Sequence, residues 1–298
     1  MTPITTSSRK NSIPTLGLLL AAIAWGLFWV PVRNIQDAGI GPAWTSIIIF
    51  AGSCVVLLPL VLLRWRNIIR HIGPLLLPGL LSGLAFSLYT ISINLTDVVR
   101  VVLLFYMTPL WSTLLGIIVL KEQLNISRVI ALVLAFGGLL TILGIGYQLP
   151  IPRNIGDWLA LVSGIIWAFA SVKLFQGGPS LLVEKVFLFV LFALLGSLCI
   201  VSLPLGITES IPNLSQINQI WIWILIVSIV MAPMTFLTIW PATILSPARV
   251  GMLLMADVLA GVTSAALLTD ETFGMREILG TLLIVSAGVI EVTRQQSK

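Results

Sequence analysis

Asp257 is the one ionisable side chain that the sequence places deep inside an apolar stretch. A carboxyl group at bilayer depth costs at least about 2.5 kcal/mol, and such groups face a bundle interior or a water-filled cavity. Two chemistries suit it: contact with a substrate ammonium group, or carriage of a proton. The bland alternative is a structural acid, held neutral by hydrogen bonds. Helical spacing puts Arg249, Leu253, Asp257, Ala260 and Ser264 along one stripe. One isolated acid suits recognition better than a proton relay, which needs several groups in line.

Aromatic side chains are the second resource. Of the ten tryptophans, Trp44, Trp65, Trp158, Trp221, Trp223 and Trp240 fall near the ends of apolar stretches, where aromatic belts sit at headgroup level. Trp25, Trp111 and Trp167 lie near mid-stretch, and Trp25 shares a helical face with Trp29. Such rings either line a cavity for a flat, apolar cargo or fill gaps between helices. Polar groups accompany them. Phe86, Tyr89, Thr90 and Asn94 share one side of a helix, and Arg100, Leu104, Thr108 and Trp111 form a stripe flanked by Tyr106. Hydroxyls and amides in such places bind cargo or cross-link helices. Arg100, near a stretch end, is read as snorkelling to the headgroups in preference to attracting a carboxylate. The candidate substrate contacts are therefore Trp25, Trp29, Tyr89, Asn94, Tyr106, Thr108, Trp111, Trp167 and Asp257. Pro109 and Pro233, each mid-stretch, are candidate hinges because proline removes a helix hydrogen bond.

Other chemistries lack their residues. The single histidine, His71, stands alone in a connection, so no catalytic or metal-binding cluster is expected and the chain is not read as an enzyme. Cys54 and Cys199 fall inside different apolar stretches, with neither disulfide nor metal spacing. No GxxxxGK[ST] run occurs, which argues against nucleotide-driven work. No cofactor is expected. The net charge of +5 is spread over helix ends and does not suggest nucleic acid.

These side chains must be positioned by elements that cross a membrane. Hydrophobic residues make up 58% of the 298 and charged residues 9%, against the roughly 25% charged of a water-facing domain. Mean hydropathy is +1.10. About 20 apolar residues span a hydrocarbon core as helix. Ten stretches qualify, near 14–32, 42–63, 74–94, 98–120, 127–146, 156–174, 183–204, 219–240, 248–269 and 276–292. The fold class is thus an all-α integral membrane bundle of ten transmembrane helices.

The chain reads as two five-helix repeats, 1–147 and 156–298, joined by a proline-containing loop. Ala24-Trp25-Gly26 matches Ile166-Trp167-Ala168 at an offset of 142. Lys121-Glu122 matches Asp270-Glu271 at an offset of 149, and Arg128 matches Arg276 at 148. An odd number of helices per repeat inverts the second half relative to the first, the arrangement of alternating-access transporters. Assigning connections alternately to two sides divides the 16 basic residues 12 to 4. The positive-inside rule then places both termini in the cytoplasm.

The Trp-Gly of the first stretch, Tyr106-Met107-Thr108-Pro109-Leu110-Trp111 and Lys121-Glu122 resemble the EamA branch of the drug/metabolite transporter superfamily. Ser246-Pro247-Ala248-Arg249-Val250-Gly251, Asp257, Asp270-Glu271, Gly280 and Gly288 resemble that family's second half. The likeness covers almost the whole chain and is greatest to YddG-type aromatic amino-acid exporters. It departs at Asp257-Val258, where relatives often carry Glu-Pro, so a proline kink is missing there. The resemblance implies a monomeric secondary transporter in a bacterial inner membrane, exporting amino acids, aromatic and apolar ones foremost, or related small metabolites. Stretches 1, 3, 4, 6, 8 and 9 would surround the cavity, with 5 and 10 peripheral. A multidrug or other metabolite exporter of the same fold, or a non-transporting membrane subunit, would leave a similar sequence.

Overall fold

A computed structural model describes residues 6–93, 95–96, 98–143, 152–202, 210–268 and 274–293. Asn94, the Tyr147–Ile151 part of the joining loop and the Asp270-Glu271 landmark lie outside the described residues. Among those described there are thirteen α-helices and no strand: α1 (Thr6–Gly26), α2 (Trp29–Asp37), α3 (Pro42–Arg70), α4 (Ile72–Ser92), α5 (Val98–Phe105), α6 (Thr108–Leu120), α7 (Ile126–Leu143), α8 (Ile155–Gly177), α9 (Leu182–Ser202), α10 (Leu214–Ala242), α11 (Pro247–Leu254), α12 (Ala256–Leu268) and α13 (Met275–Thr293). Seven helical segments are long and apolar enough to cross a membrane, and Ile126–Ile142 and Ile278–Thr293 are shorter apolar helices. Leucine, isoleucine and valine cover much of the outer surface, for example Val55, Leu62, Leu63, Ile118 and Val133. Exposed apolar area on that scale matches hydrocarbon, not water.

Local chemistry starts several helices. Pro42 and Pro247 occupy the first turns of α3 and α11, where no amide hydrogen is needed. Asn154 accepts from the Asp157 amide to cap α8, and Asn213 with Gln216 forms a reciprocal capping box on α10.

Three of the expected continuous stretches are split. The first divides into α1 and α2 at Leu27-Phe28, and the cause is Pro31. Its missing amide cannot bond the Leu27 carbonyl four residues back, and the Val30 amide takes that carbonyl instead at 3.2 Å. The fourth divides at Tyr106-Met107 for the same reason. Pro109 opens α6 and leaves the Phe105 carbonyl without its helical donor, and the Thr108 hydroxyl donates to it at 2.5 Å. The ninth divides at Met255, between α11 and α12, with no proline present. There the chain tightens through bonds of three-residue span, Met255 N–H to Met252 O at 3.3 Å and Val258 N–H to Met255 O at 3.2 Å. The absence of Glu-Pro therefore does not keep that stretch straight.

The main helix pairings cross between the two halves of the chain. The α4 helix lies against α8 and α9, α10 against α1 and α3, α3 against α9, and α5–α6 against α8. In the same way α11 packs on α6, α1 on α12, and α7 pairs with α13 at the edge. Small residues permit these approaches. A Cβ on Gly138 would stand 2.6 Å from the Gly280 carbonyl, and one on Gly83 2.6 Å from the Phe189 carbonyl. Ser197 links three helices, meeting Ser46 at 2.7 Å and Ser87 at 3.0 Å.

Candidate functional site

Phe86 of α4 is the centre of an aromatic cluster at the heart of the bundle. Its ring lies 4.6 Å from Trp25, 5.0 Å from Phe189 and 5.1 Å from Trp167, and 6.5 Å from both Tyr89 and Phe105. Tyr89 and Phe105 are 4.5 Å apart, Phe105 and Tyr106 5.4 Å, and Trp25 and Phe28 5.3 Å. The tilted and edge-on geometries are those aromatic pairs favour. Helices α1, α4, α5, α8 and α9 each contribute, so the cluster forms only when distant parts of the chain meet.

Of the residues singled out by sequence, Trp25, Tyr89, Tyr106 and Trp167 belong to this cluster. Trp167 is fully buried, whereas Trp25 and Tyr89 keep partial exposure. The Trp25 indole donates to the Thr238 hydroxyl of α10 at 3.0 Å, and the Trp29 indole donates to Ser264 of α12 at 3.0 Å. Thr108 is buried beside Gly164, its hydroxyl satisfying the Phe105 carbonyl at the α5–α6 break. Trp111 is half-buried and stands apart from the ring cluster. Pro233 lies on the exposed side of α10, which runs unbroken past it.

Asp257 sits in the first turn of α12, directly after the break at Met255. Its backbone packs against Gly26 of α1, the residue after Trp25, which brings Asp257 next to the aromatic cluster. Its Oδ1 is shielded and has no hydrogen-bond partner among the described residues; the same holds for the indole nitrogens of Trp111 and Trp167. Buried polar atoms are nearly always paired in folded proteins. An acceptor at Asp257 and an N–H donor at Trp167 thus lie in the bundle interior without partners among the described residues, the donor within the bed of rings. Gly26 brings α1 against this point: a Cβ there would meet the Asp257 carbonyl, Ala260 Cβ at 2.6 Å and Gly261 N at 2.8 Å.

Sequence reasoning missed several participants. Phe28, Phe105 and Phe189 carry no local signal that separates them from ordinary apolar residues. Phe86 shared a helical side with Tyr89, and that stripe was the available clue. Arg100 does not snorkel. Its guanidinium spans both oxygens of the fully buried Asp157, with Nε at 3.2 and 3.0 Å and Nη2 closer still on Oδ2. No grouping of three or more His, Cys, Asp or Glu that could hold a metal occurs among the described residues.

Residues 13–144 match the model of the EamA-like transporter family. The chain is similar to "Uncharacterized transporter YoaV" of Bacillus subtilis (strain 168), with 27% identity over 164 residues, 53% of this chain and 55% of that protein. It is also similar to "Protein RarD" of Streptomyces exfoliatus, with 30% identity over 178 residues, 55% of this chain and 53% of that protein. Both alignments span about half the length of these relatives. A solved structure described as "Crystal structure of protein" shares the fold, with a TM-score of 0.70 at 18% identity over 94% of this chain and 96% of that one.

Proposed function

We propose that the chain is a ten-span secondary transporter of the EamA type, built from two inverted five-helix repeats and exporting aromatic or other apolar amino acids. The family match over 13–144 supports the class. The helix pairings support the repeat. Exchanging stretches 1 to 5 with 6 to 10 turns the α4–α8 pairing into α10–α1, α4–α9 into α10–α3, and α5–α6 on α8 into α11–α12 on α1. The α3–α9 and α7–α13 pairings map onto themselves, whereas α6–α11 maps onto α5–α12, which is not among the main pairings of the described residues. The breaks at Tyr106 and Met255 are 149 residues apart, the offset of the Lys121-Glu122 and Asp270-Glu271 landmarks.

The observation that carries the cargo reading is the packing of Asp257 against Gly26, next in sequence to Trp25 of the Phe86 cluster. Rings at Trp25, Phe86 and Trp167 would bury a flat side chain by area and edge contacts. The Asp257 carboxylate would hold the ammonium, and the indole hydrogen of Trp167 would serve the cargo's carboxylate. Split helices around a central site are how such folds open to one side at a time. The half-helices meeting at Met255 and Tyr106 would tilt in turn as the cargo is taken up and released, driven by its own gradient. The protein would act as a monomer in a bacterial inner membrane, with both termini cytoplasmic.

Reconstitution tests this. Proteoliposomes holding unlabelled phenylalanine should accumulate labelled phenylalanine by counterflow, and tryptophan and leucine should compete. Counterflow of planar cationic drugs alone would favour a multidrug exporter, and no flux of any amino acid would remove the reading.

A further inference from the structure

Arg100 and Arg249 are 149 residues apart, and their partners Thr15 and Asp157 are 142 apart. These are the offsets at which the fourth and ninth stretches, and the first and sixth, match each other. Arg100 is the third residue of α5 and grips Asp157, the third residue of α8. Arg249 is the third residue of α11 and donates from Nη2 to the Thr15 hydroxyl of α1 at 2.9 Å. The same pair of positions is thus bonded twice, once in each half. Successive helices run in alternating directions, so the two contacts lie at opposite ends of the bundle.

Both arginines sit on half-helices of eight residues, α5 and α11. Each half-helix is hinged at one end, α5 at Tyr106-Met107 and α11 at Met255, and tied to a longer helix near its other end. Neither tie is a loose surface contact. Asp157 is fully buried, and it also accepts from the Thr96 hydroxyl at 2.9 Å and the Arg153 amide at 2.9 Å, while Asn154 bonds Thr96. Arg249 and Thr15 are 3% and 5% exposed. A short rigid rod with a hinge at one end and a buried polar tie at the other has two defined positions, tied and swung.

We propose that Arg100–Asp157 and Arg249–Thr15 are matched latches, each closing one end of the transport pathway by holding its half-helix down, and that transport opens them alternately. This rests on the alternating-access reading above. Between the paired positions the chemistry differs: a two-point guanidinium–carboxylate pair stands at one end and a hydroxyl acceptor at the other. Charge-assisted pairs are roughly twice as strong as neutral ones. A carboxylate introduced at Thr15 should therefore tighten the second end.

Leu104 and Leu253, themselves 149 residues apart and both nearly fully buried, report on the two half-helices. In a background with Cys54 and Cys199 replaced by serine, Leu104→Cys and Leu253→Cys are each labelled with a membrane-impermeant maleimide from the side of their own latch. Asp157→Asn should raise labelling of Leu104→Cys about tenfold and lower that of Leu253→Cys, because opening one end closes the other. Thr15→Asp should do the same through the opposite latch, lowering Leu253→Cys labelling while raising Leu104→Cys. Reciprocal changes in either variant support the latches, and Thr15→Asp, which keeps an acceptor for Arg249 and gives it a charge, serves where Asp157→Asn folds poorly. Labelling that stays unchanged, or moves in the same direction at both reporters, overturns them. Wild-type counterflow is measured in the same vesicles. Its absence alongside reciprocal labelling refutes the cargo, whereas its presence alongside non-reciprocal labelling refutes the latches alone.

Discussion

The rings of Phe86 and Trp167 meet edge-to-face, with centroids 5.1 Å apart and planes at 87°. Phe86 comes from α4 and Trp167 from α8, and Trp167 is completely enclosed. Removing either ring opens the middle of the bundle. Phe86→Ala should destabilise the protein by about 3–5 kcal/mol, as large-to-small core changes do. Trp167→Phe keeps a six-membered ring but loses the pyrrole ring with its N–H, so it should cost less stability than Phe86→Ala. Per folded molecule it should weaken uptake of amino acids relative to analogues lacking the carboxylate. Equal uptake of both would return Trp167 to a packing role.

Gly26 offers a test of the α1–α12 contact. The Cβ of Gly26→Ala would press on the Asp257 carbonyl, Ala260 and Gly261. Backbone cannot move aside cheaply, so a cost of roughly 1–3 kcal/mol and a marked loss of flux are expected. Gly137→Ala and Gly288→Ala meet nothing within 4 Å and are the controls. They should be neutral or gain up to about 1 kcal/mol from helix propensity. A Gly26→Ala protein as stable and active as these controls would contradict the close packing described.

The three readings of Asp257 separate in a single variant. If the acid carries a proton, Asp257→Asn abolishes the pH dependence of flux, since an amide does not titrate in this range. If it holds the ammonium as a fixed charge, the variant loses affinity for zwitterionic amino acids at every pH and spares an analogue lacking the amino group. If it is structural, the nearly isosteric amide makes similar hydrogen bonds and transport survives. We expect the second outcome, because the acid stands beside the aromatic cluster without a line of other titratable groups. Flux across pH 5.5–8 with paired substrates decides it.

Arg128 bridges the peripheral helices. It is 3% exposed and contacts Glu122 at 2.6 Å and Glu291 of α13 at 3.8 Å, with Glu291 itself 1% exposed. Breaking a buried pair by removing one partner costs about 3–5 kcal/mol. Arg128→Met should therefore lower thermal stability sharply, and adding Glu291→Met should recover part of the loss. Since α7 and α13 pair with each other at the edge, counterflow per folded molecule should change little. A double variant no more stable than Arg128→Met would disconnect the two side chains.

Sidedness is checked with reporter fusions at Gln148 and Lys298. The division of basic residues puts the first outside and the second in the cytoplasm. Both reporting the same compartment would end the inverted-repeat reading.

Membrane crossing was legible in the sequence because it depends on a property that adds along the chain. Twenty apolar residues cross a bilayer whatever they later touch, which is why α3, α4, α8, α9 and α10 fall where hydropathy places them. Pro109 was legible as a helix interruption for an equally local reason, a missing amide. Asp257 stood out because an acid in an apolar run is costly in any context. The Phe86 cluster was not legible as a cluster, since its members come from five helices and each phenylalanine looks locally like any other core residue. Arg100 was misread for the same reason: its partner lies 57 residues away, and only packing of α5 on α8 brings a carboxylate to it. The division of the ninth stretch at Met255 carries no proline or other local signature. Side-chain type and periodicity determine which segments become helices and which face is apolar. Which helices touch, where a helix breaks without proline, and which charges find each other are set by tertiary packing, because those energies belong to pairs of distant residues and not to the segments themselves.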